Sequence, residues 1–225
     1  MAELLNTQTE ENYLKAIYKH SLSSPTGMTT NAIAEQMDTK ASSVTNMLQK
    51  LAEKEMVNYR KYQGVTLTPE GKRRAIMVLR KHRLWEVFLY EHLEFSWDEV
   101  HDIAEELEHV SSNDLVERLD KFLGFPKSDP HGDLIPDRKG YFPINHSVKL
   151  STMINSSKGT VSGVNDTSSA FLTFLDKVGI RPGVEIEIME WHEFDHSAEV
   201  RINQEQVINL SYQATQNILV TKNRN

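Results

Sequence analysis

The sequence predicts a mainly α fold: two short helices and a hairpin, a second helical domain, then a small β-barrel-like domain. Three observations predict it. Apolar residues recur at helical spacing from Tyr13 to about Leu123. Four of the seven prolines, with Gly132 and Gly140, fall between 126 and 143 and mark a linker or extended loop. From about 148 the texture changes to short strand-like runs at 184–191, 198–203 and 218–221. The expected domains are residues 1–75, 76–142 and 148–225.

The first helix carries Tyr13, Leu14, Ile17 and Tyr18 inward and stops near Pro25-Thr26-Gly27. A second starts with Thr29 or Thr30 as N-cap and buries Ile33, Ala34 and Met37. After a short break at Asp38-Thr39-Lys40, a third spans about 41–53 with Val44, Leu48 and Leu51 inward. Residues 56–67 alternate in part and turn at Gln63-Gly64, which reads as a hairpin. Pro69 opens a long helix running to about Leu89, at a position where its missing N–H costs little. Ser96-Trp97-Asp98-Glu99 is a capping-box sequence for the next helix, and Ser111 begins another that ends near Gly124. In the last domain a helix at about 167–178 ends at Gly179, and Arg181-Pro182-Gly183 makes a turn.

Two short helices with a tight break, followed by a hairpin, match a winged helix-turn-helix. The outward face of its second helix is rich in small polar groups. Ser42, Ser43, Thr45 and Asn46 suit base edges and phosphates, while Lys40, Lys50, Arg60 and Lys61 suit phosphate charge. An ordinary helix pair with a solvated face has the same pattern, so these residues alone leave both readings open. The charge distribution bears on the choice. The formal net charge is −7, yet residues 1–84 carry 13 Lys/Arg against 8 Asp/Glu, and residues 85–140 carry 5 against 15. A basic first third can meet a polyanion, and an acidic middle can receive a cation.

The acidic middle concentrates metal-capable side chains. His82 and Glu86 are i,i+4 neighbours; alone, such a pair is as well explained by surface charge. On an ideal helix His101, Glu105, Glu108 and His109 fall in one stripe roughly 100° wide, with Val100, Ile103, Leu107 and Val110 on the complementary arc. Two imidazoles and two carboxylates on one stripe suit one wall of a metal site. The chain has no cysteine, so the donors are oxygen and imidazole nitrogen, a set suited to Mn²⁺ or Fe²⁺ more than to structural zinc. His192, Asp195 and His196 read as a solvated loop and His131 as a turn residue. No phosphate-cradling loop, dinucleotide fingerprint or nucleophile elbow is present in the sequence. The apolar runs are too short for a membrane span, and the lack of cysteine fits a cytoplasmic protein.

These motifs together resemble the family of metal-dependent repressors typified by the diphtheria toxin repressor and the manganese regulator MntR. The resemblance rests on Arg80-Lys81-His82-Arg83-Leu84 followed by Glu86, on Val100-His101-Asp102, on Glu108-His109-Val110, and on the segments 9–14 and 67–71. It covers residues 5–142 well and, more loosely, extends to the SH3-like third domain of the longer members. It implies a primary site of Asn12, Glu105, Glu108 and His109, with Glu11 as a neighbouring candidate, and an ancillary site of His82, Glu86 and His101 completed by Asp166. Asn12 stands where manganese-type members carry aspartate and iron-type members methionine. Glu105 matches the manganese type, where iron-type members have cysteine. Lys15 replaces an acidic ligand that some manganese-type members use for a second, closely spaced ion.

The resemblance therefore implies a homodimer that binds palindromic double-stranded operator DNA when loaded with Mn²⁺, or alternatively Fe²⁺, and that controls metal-uptake genes. Dimerisation is expected around Leu84, Trp85, Phe88, Leu107 and Leu115. Two other readings stand beside this one: a carboxylate-bridged di-metal enzyme using Glu106 and His109, and a winged-helix regulator sensing an organic ligand.

Overall fold

A computed structural model describes residues 7–24, 26–60, 64–110 and 112–222. It divides into two compact units. The first comprises the chain up to His82 together with Glu105–Glu117 and Pro136–Tyr141; the second comprises Arg83–Ala104, Arg118–Ile135 and the chain from Phe142 on.

In the first unit, helices α1 (Gln8–Ser23), α2 (Thr30–Gln36) and α3 (Ala41–Glu53) precede a hairpin of β1 (Val57–Arg60) and β2 (Gly64–Leu67). α1 starts on a full capping box: the Thr7 hydroxyl accepts from the Glu10 amide, and the Glu10 carboxylate accepts from the Thr7 amide. Thr29 caps α2 through the Ala32 amide. The chain turns from α2 to α3 through Asp38 in the left-handed region (φ 45°), a residue type that tolerates it. Leu14, Ile17, Ile33, Val44, Leu48, Leu51 and Val65 close one core. That core holds the outward face of α3 on a rigid base. The hairpin pairs Val57 with Leu67 through Arg60 with Gly64; Lys61 and the expected turn residue Gln63 lie outside the described residues.

Helix α4 (Pro69–His92) contributes its start to the first unit and its end to the second, and it runs one turn past the expected stop at Leu89. Helix α5 spans Val100–Leu107 and α6 spans Asn113–Phe122; Ser111, the expected start of α6, is not among the described residues. Only half of the expected box forms: Glu99 accepts from the Ser96 amide and hydroxyl, the Glu99 amide donates to the Ser96 carbonyl, and α5 starts at Val100. Because α5 ends at Leu107, Glu108 and His109 lie in the turn beyond it and not on the continuous helical stripe expected from spacing.

In the second unit, β3 (Ser147–Lys149), β4 (Lys158–Val164), β5 (Glu185–Trp191), β6 (Ala198–Ile202), β7 (Gln206–Leu210) and β8 (Ile218–Lys222) form an antiparallel sheet ordered β3-β8-β4-β5-β6-β7. Irregularities at Val161/Gly163 and Ile188/Glu190 bend β4 and β5. Ile186, Ile188, Val200, Ile202 and Val220 pack with Leu172 and Leu175 of α7 (Ser169–Lys177) and with Trp97. A short α8 (Tyr212–Asn217) precedes β8. Leu84, expected near a dimer face, is fully buried within the chain and is core.

Candidate metal centre and nucleic-acid interface

In the first unit the donors converge on Glu108, whose side chain is fully buried. Its Oε1 accepts from the Lys15 ammonium of α1 at 2.6 Å, and its Oε2 lies 2.8 Å from His82 Nδ1 of α4. Burial pushes the Glu108 carboxyl up, but the His82 hydrogen bond and the charge and hydrogen bond of Lys15 outweigh it and hold the group below its usual range. Lys15 also donates to Glu105 at 3.0 Å, so one ammonium bridges both carboxylates of the predicted primary site. His109 Nδ1 lies 2.7 Å from Glu11 Oε2. A carboxylate can only accept there, so Nδ1 bears the proton and Nε2, 3.6 Å from Glu108 Oε1, keeps its lone pair when the ring is neutral.

Asn12 follows Glu11 on α1, and its Oδ1 is buried with no hydrogen-bond partner. A buried, unsatisfied amide oxygen costs free energy unless something else fills its lone pairs. This orphaned oxygen, two carboxylates and an oriented imidazole suit a hard to borderline divalent cation, so the residues present fit such an ion. Lys81 lies over the same cluster, 3.9 Å from Glu11 Oε1; burial lowers its pKa, against the charges of Glu11 and Glu108.

Of the predicted ancillary set, three residues come together and Asp166 does not. His82, Glu86 and His101 lie together as a group that could hold an ion, with Glu86 Oε1 3.3 Å from His101 Nδ1, while His82 Nδ1 also reaches Glu108. Glu86 is joined there by two residues that spacing did not single out as donors. His131 Nδ1 lies 3.6 Å from Glu86 Oε1, and Glu86, Asp129 and His131 together could hold an ion. His131 Nε2 lies 2.6 Å from the Trp97 carbonyl, which only accepts, so Nε2 holds the proton and Nδ1 is free to donate its lone pair. Burial, then the charge of Glu86, raises the pKa of Asp129 well above its ordinary range, with Arg83 opposing. The sequence predicts a turn residue at His131. It is one, and it is also buried.

The loop is seated by two glycines in close approach. A Cβ on Gly132 would run into the Ser162 carbonyl, and one on Gly163 into the His131 carbonyl, which accepts from the Val164 amide at 2.7 Å. Asp166 is brought into neither donor group; its Oδ1 accepts from the Ser168 amide ahead of α7. An isolated Asp-x-His in a loop carries no sequence signal, because the donor it joins, Glu86, lies more than forty positions away.

On the winged domain, Lys40, Ser42, Ser43, Asn46, Lys50 and Arg60 are exposed and Thr45 half-buried. Thr45 donates its hydroxyl to the Ala41 carbonyl, which leaves only its lone pairs for a partner. Lys50 is tethered: its ammonium lies 2.9 Å from Glu10 of α1.

A winged helix-turn-helix whose first helix also closes an imidazole–carboxylate cluster defines a class, the metal-responsive DNA-binding regulators. Three family models match in succession: the N-terminal DNA-binding domain of iron-dependent repressors over residues 6–65, their metal-binding and dimerisation domain over 68–137, and the FeoA domain over 148–222. The HTH-type transcriptional regulator MntR of Oceanobacillus iheyensis is 33% identical over 123 residues, 55% of this chain and 82% of that protein. The iron-dependent repressor IdeR of Mycobacterium tuberculosis is 35% identical over 136 residues, 60% of this chain and 58% of the relative. A solved manganese-dependent transcriptional repressor in complex with manganese superposes with a TM-score of 0.81 at 35% identity, covering 95% of this chain and 99% of that one. The chain belongs to the iron-dependent repressor family of transcriptional regulators.

Proposed function

We propose that the protein is a dimeric repressor whose grip on palindromic operator DNA depends on Mn²⁺ bound by Asn12, Glu105, Glu108 and His109, with Fe²⁺ as the alternative effector. The observation that carries this reading is the buried Glu108, reached by basic groups from α1 and α4, together with the orphaned Asn12 oxygen on α1. When bound, the cation supplies positive charge and directed coordination for oxygen and imidazole donors. The absence of sulfur among those donors favours Mn²⁺.

The chain's own residues do the rest. Lys15 already balances Glu105 and Glu108, so it must release at least one of them before both can ligate. Glu11 keeps His109 in the tautomer whose Nε2 faces the site. Asn12 contributes from α1, which ties that helix to the turn after α5. α3 then presents Ser42, Ser43, Thr45 and Asn46 to the major groove, and Lys40, Lys50 and Arg60 neutralise phosphate. The metal's leverage equals its difference in affinity between the DNA-competent and incompetent states.

Glu86, His101, Asp129 and His131 form the candidate second centre, with His82 one turn before Glu86 on α4. The dimer face suits the apolar end of α4 and α6, where Phe122 is 63% exposed and packs on Phe88 and His92. The protein is read as a regulator and not an enzyme, since the exposed Glu106 joins neither donor group. No helix is long and apolar enough to cross a membrane among the described residues, in keeping with a cytoplasmic regulator.

The decisive experiment is a DNA-binding titration across divalent ions at controlled free concentration. Mn²⁺ or Fe²⁺ should raise affinity for a selected duplex, and Glu108→Ala should abolish that response in a folded protein. Equal affinity with and without metal in the wild type would overturn the reading.

A further inference from the structure

The N-terminal turn of α1 carries two acidic groups that point in different directions. Taking Glu10 as the origin, Glu11, Lys15 and Asn12 lie at roughly 100°, 140° and 200° around the helix, which places the metal-centre residues away from Glu10. Glu10 itself is fully buried. It accepts from Lys54 at 2.8 and 2.9 Å, lies 2.9 Å from the Lys50 ammonium, and accepts from the Thr7 amide at 3.1 Å. Both lysines belong to or cap α3, the helix whose outer face meets DNA. One helix turn is thus bonded on one side to the recognition helix and on the other to the metal cluster. Burying a carboxylate under two ammonium groups is a poor way to gain stability alone, because desolvation offsets much of the attraction. Such a group is better suited to holding two elements in one relative placement.

We propose that Glu10 is the positioning residue that couples metal occupancy to the placement of the recognition helix. It touches none of the metal donors, and on α3 it meets only Lys50 and the capping Lys54. Its ion pairs with Lys50 and Lys54 make α3 follow α1, so a displacement of α1 at the Asn12 end is delivered to the DNA-contacting face. This inference rests on the proposed metal-dependent repression. By linkage, the same coupling must appear as tighter metal binding on DNA.

The test uses full-length protein and a duplex selected from a random pool with the Mn²⁺-loaded wild type. Two quantities are measured: Mn²⁺ affinity without DNA, by equilibrium dialysis, and the ratio of duplex affinities with and without Mn²⁺. Glu10→Gln should leave the first within about twofold and reduce the ratio at least tenfold. Thr7→Ala, which loses the cap and keeps the ion pairs, should retain the wild-type ratio. Lys54→Gln should reproduce the loss, and adding it to Glu10→Gln should cause no further loss, since partners in one interaction are not additive. If Glu10→Gln does not fold, Lys54→Gln decides. A ratio within twofold of wild type in these variants, or an equal loss in Thr7→Ala, overturns the proposal. A wild type that selects no duplex, or shows no Mn²⁺ response, instead defeats the repressor reading on which it rests.

Discussion

Glu108 is the residue on which the chemistry of the first unit turns, because its buried carboxylate has Oε1 on the Lys15 ammonium and Oε2 2.8 Å from His82 Nδ1. Lys15 supplies the countercharge there. Replacing Lys15 by Met should leave Glu105 and Glu108 mutually repelling in the metal-free protein, and a divalent cation then relieves more unfavourable charge. Mn²⁺ affinity should rise about tenfold or more, measured by isothermal titration calorimetry; an unchanged or weakened affinity would show that the lysine does not compete for the carboxylates. On α3 the substitutions should divide by chemistry. Asn46→Ala should cost about 1–3 kcal/mol of discrimination at one base position. Lys40→Ala should weaken binding to every duplex and lower the salt slope by about 1. A selection assay run at several salt concentrations reads both.

Helix α1 is the element that links the two tasks, and its acid response should be visible. Burial pushes the Glu10 carboxyl up, but hydrogen bonds from Lys54, Lys50 and the Thr7 amide, with the Lys54 charge, hold it below the usual range. A carboxyl depressed in the folded state contributes stability above its unfolded pKa and loses it as pH falls through the folded value. The difference in urea midpoint between wild type and Glu10→Gln should therefore be full at neutral pH and close progressively below about pH 4. A difference independent of pH would mean that the ion pairs are not its source. The loop around 129–135 is the second such element. It was legible only as a proline- and glycine-rich connection, yet the close approach of Gly132 to Gly163 seats His131 beside Glu86. Gly163→Ala should displace the loop and weaken metal binding at the second centre while sparing the first.

Across the whole molecule, metal binding and folding share one free-energy cycle. Mn²⁺ at a hundred times its dissociation constant should stabilise the protein by about 2.7 kcal/mol per linked site. Glu108→Ala should remove the contribution of the first centre and Glu86→Ala that of the second, read as shifts of the urea midpoint. Dimerisation through the exposed Phe122 cluster should also register at this level: Phe122→Ser should move the sedimentation equilibrium towards monomer, and no shift would exclude that face.

The sequence by itself determined the helices α1 to α7, the hairpin and the oxygen–nitrogen character of the candidate donors. Each is written in local periodicity, capping residues or residue type, which act over a few positions. It also located strands β5, β6 and β8, whose buried positions alternate, but not the three-residue β3, the short α8, or β4 and β7, where glycines and exposed apolar residues blur the period. Only the tertiary structure decided how the donors are grouped. α5 stops at Leu107, so Glu108 turns towards Lys15 and His82, while His82, Glu86 and His101 come together. Asp129 and His131 join Glu86, and Asp166 stays with α7. Those groupings depend on contacts between residues distant in the chain, which are set by packing and burial and leave no mark in local spacing.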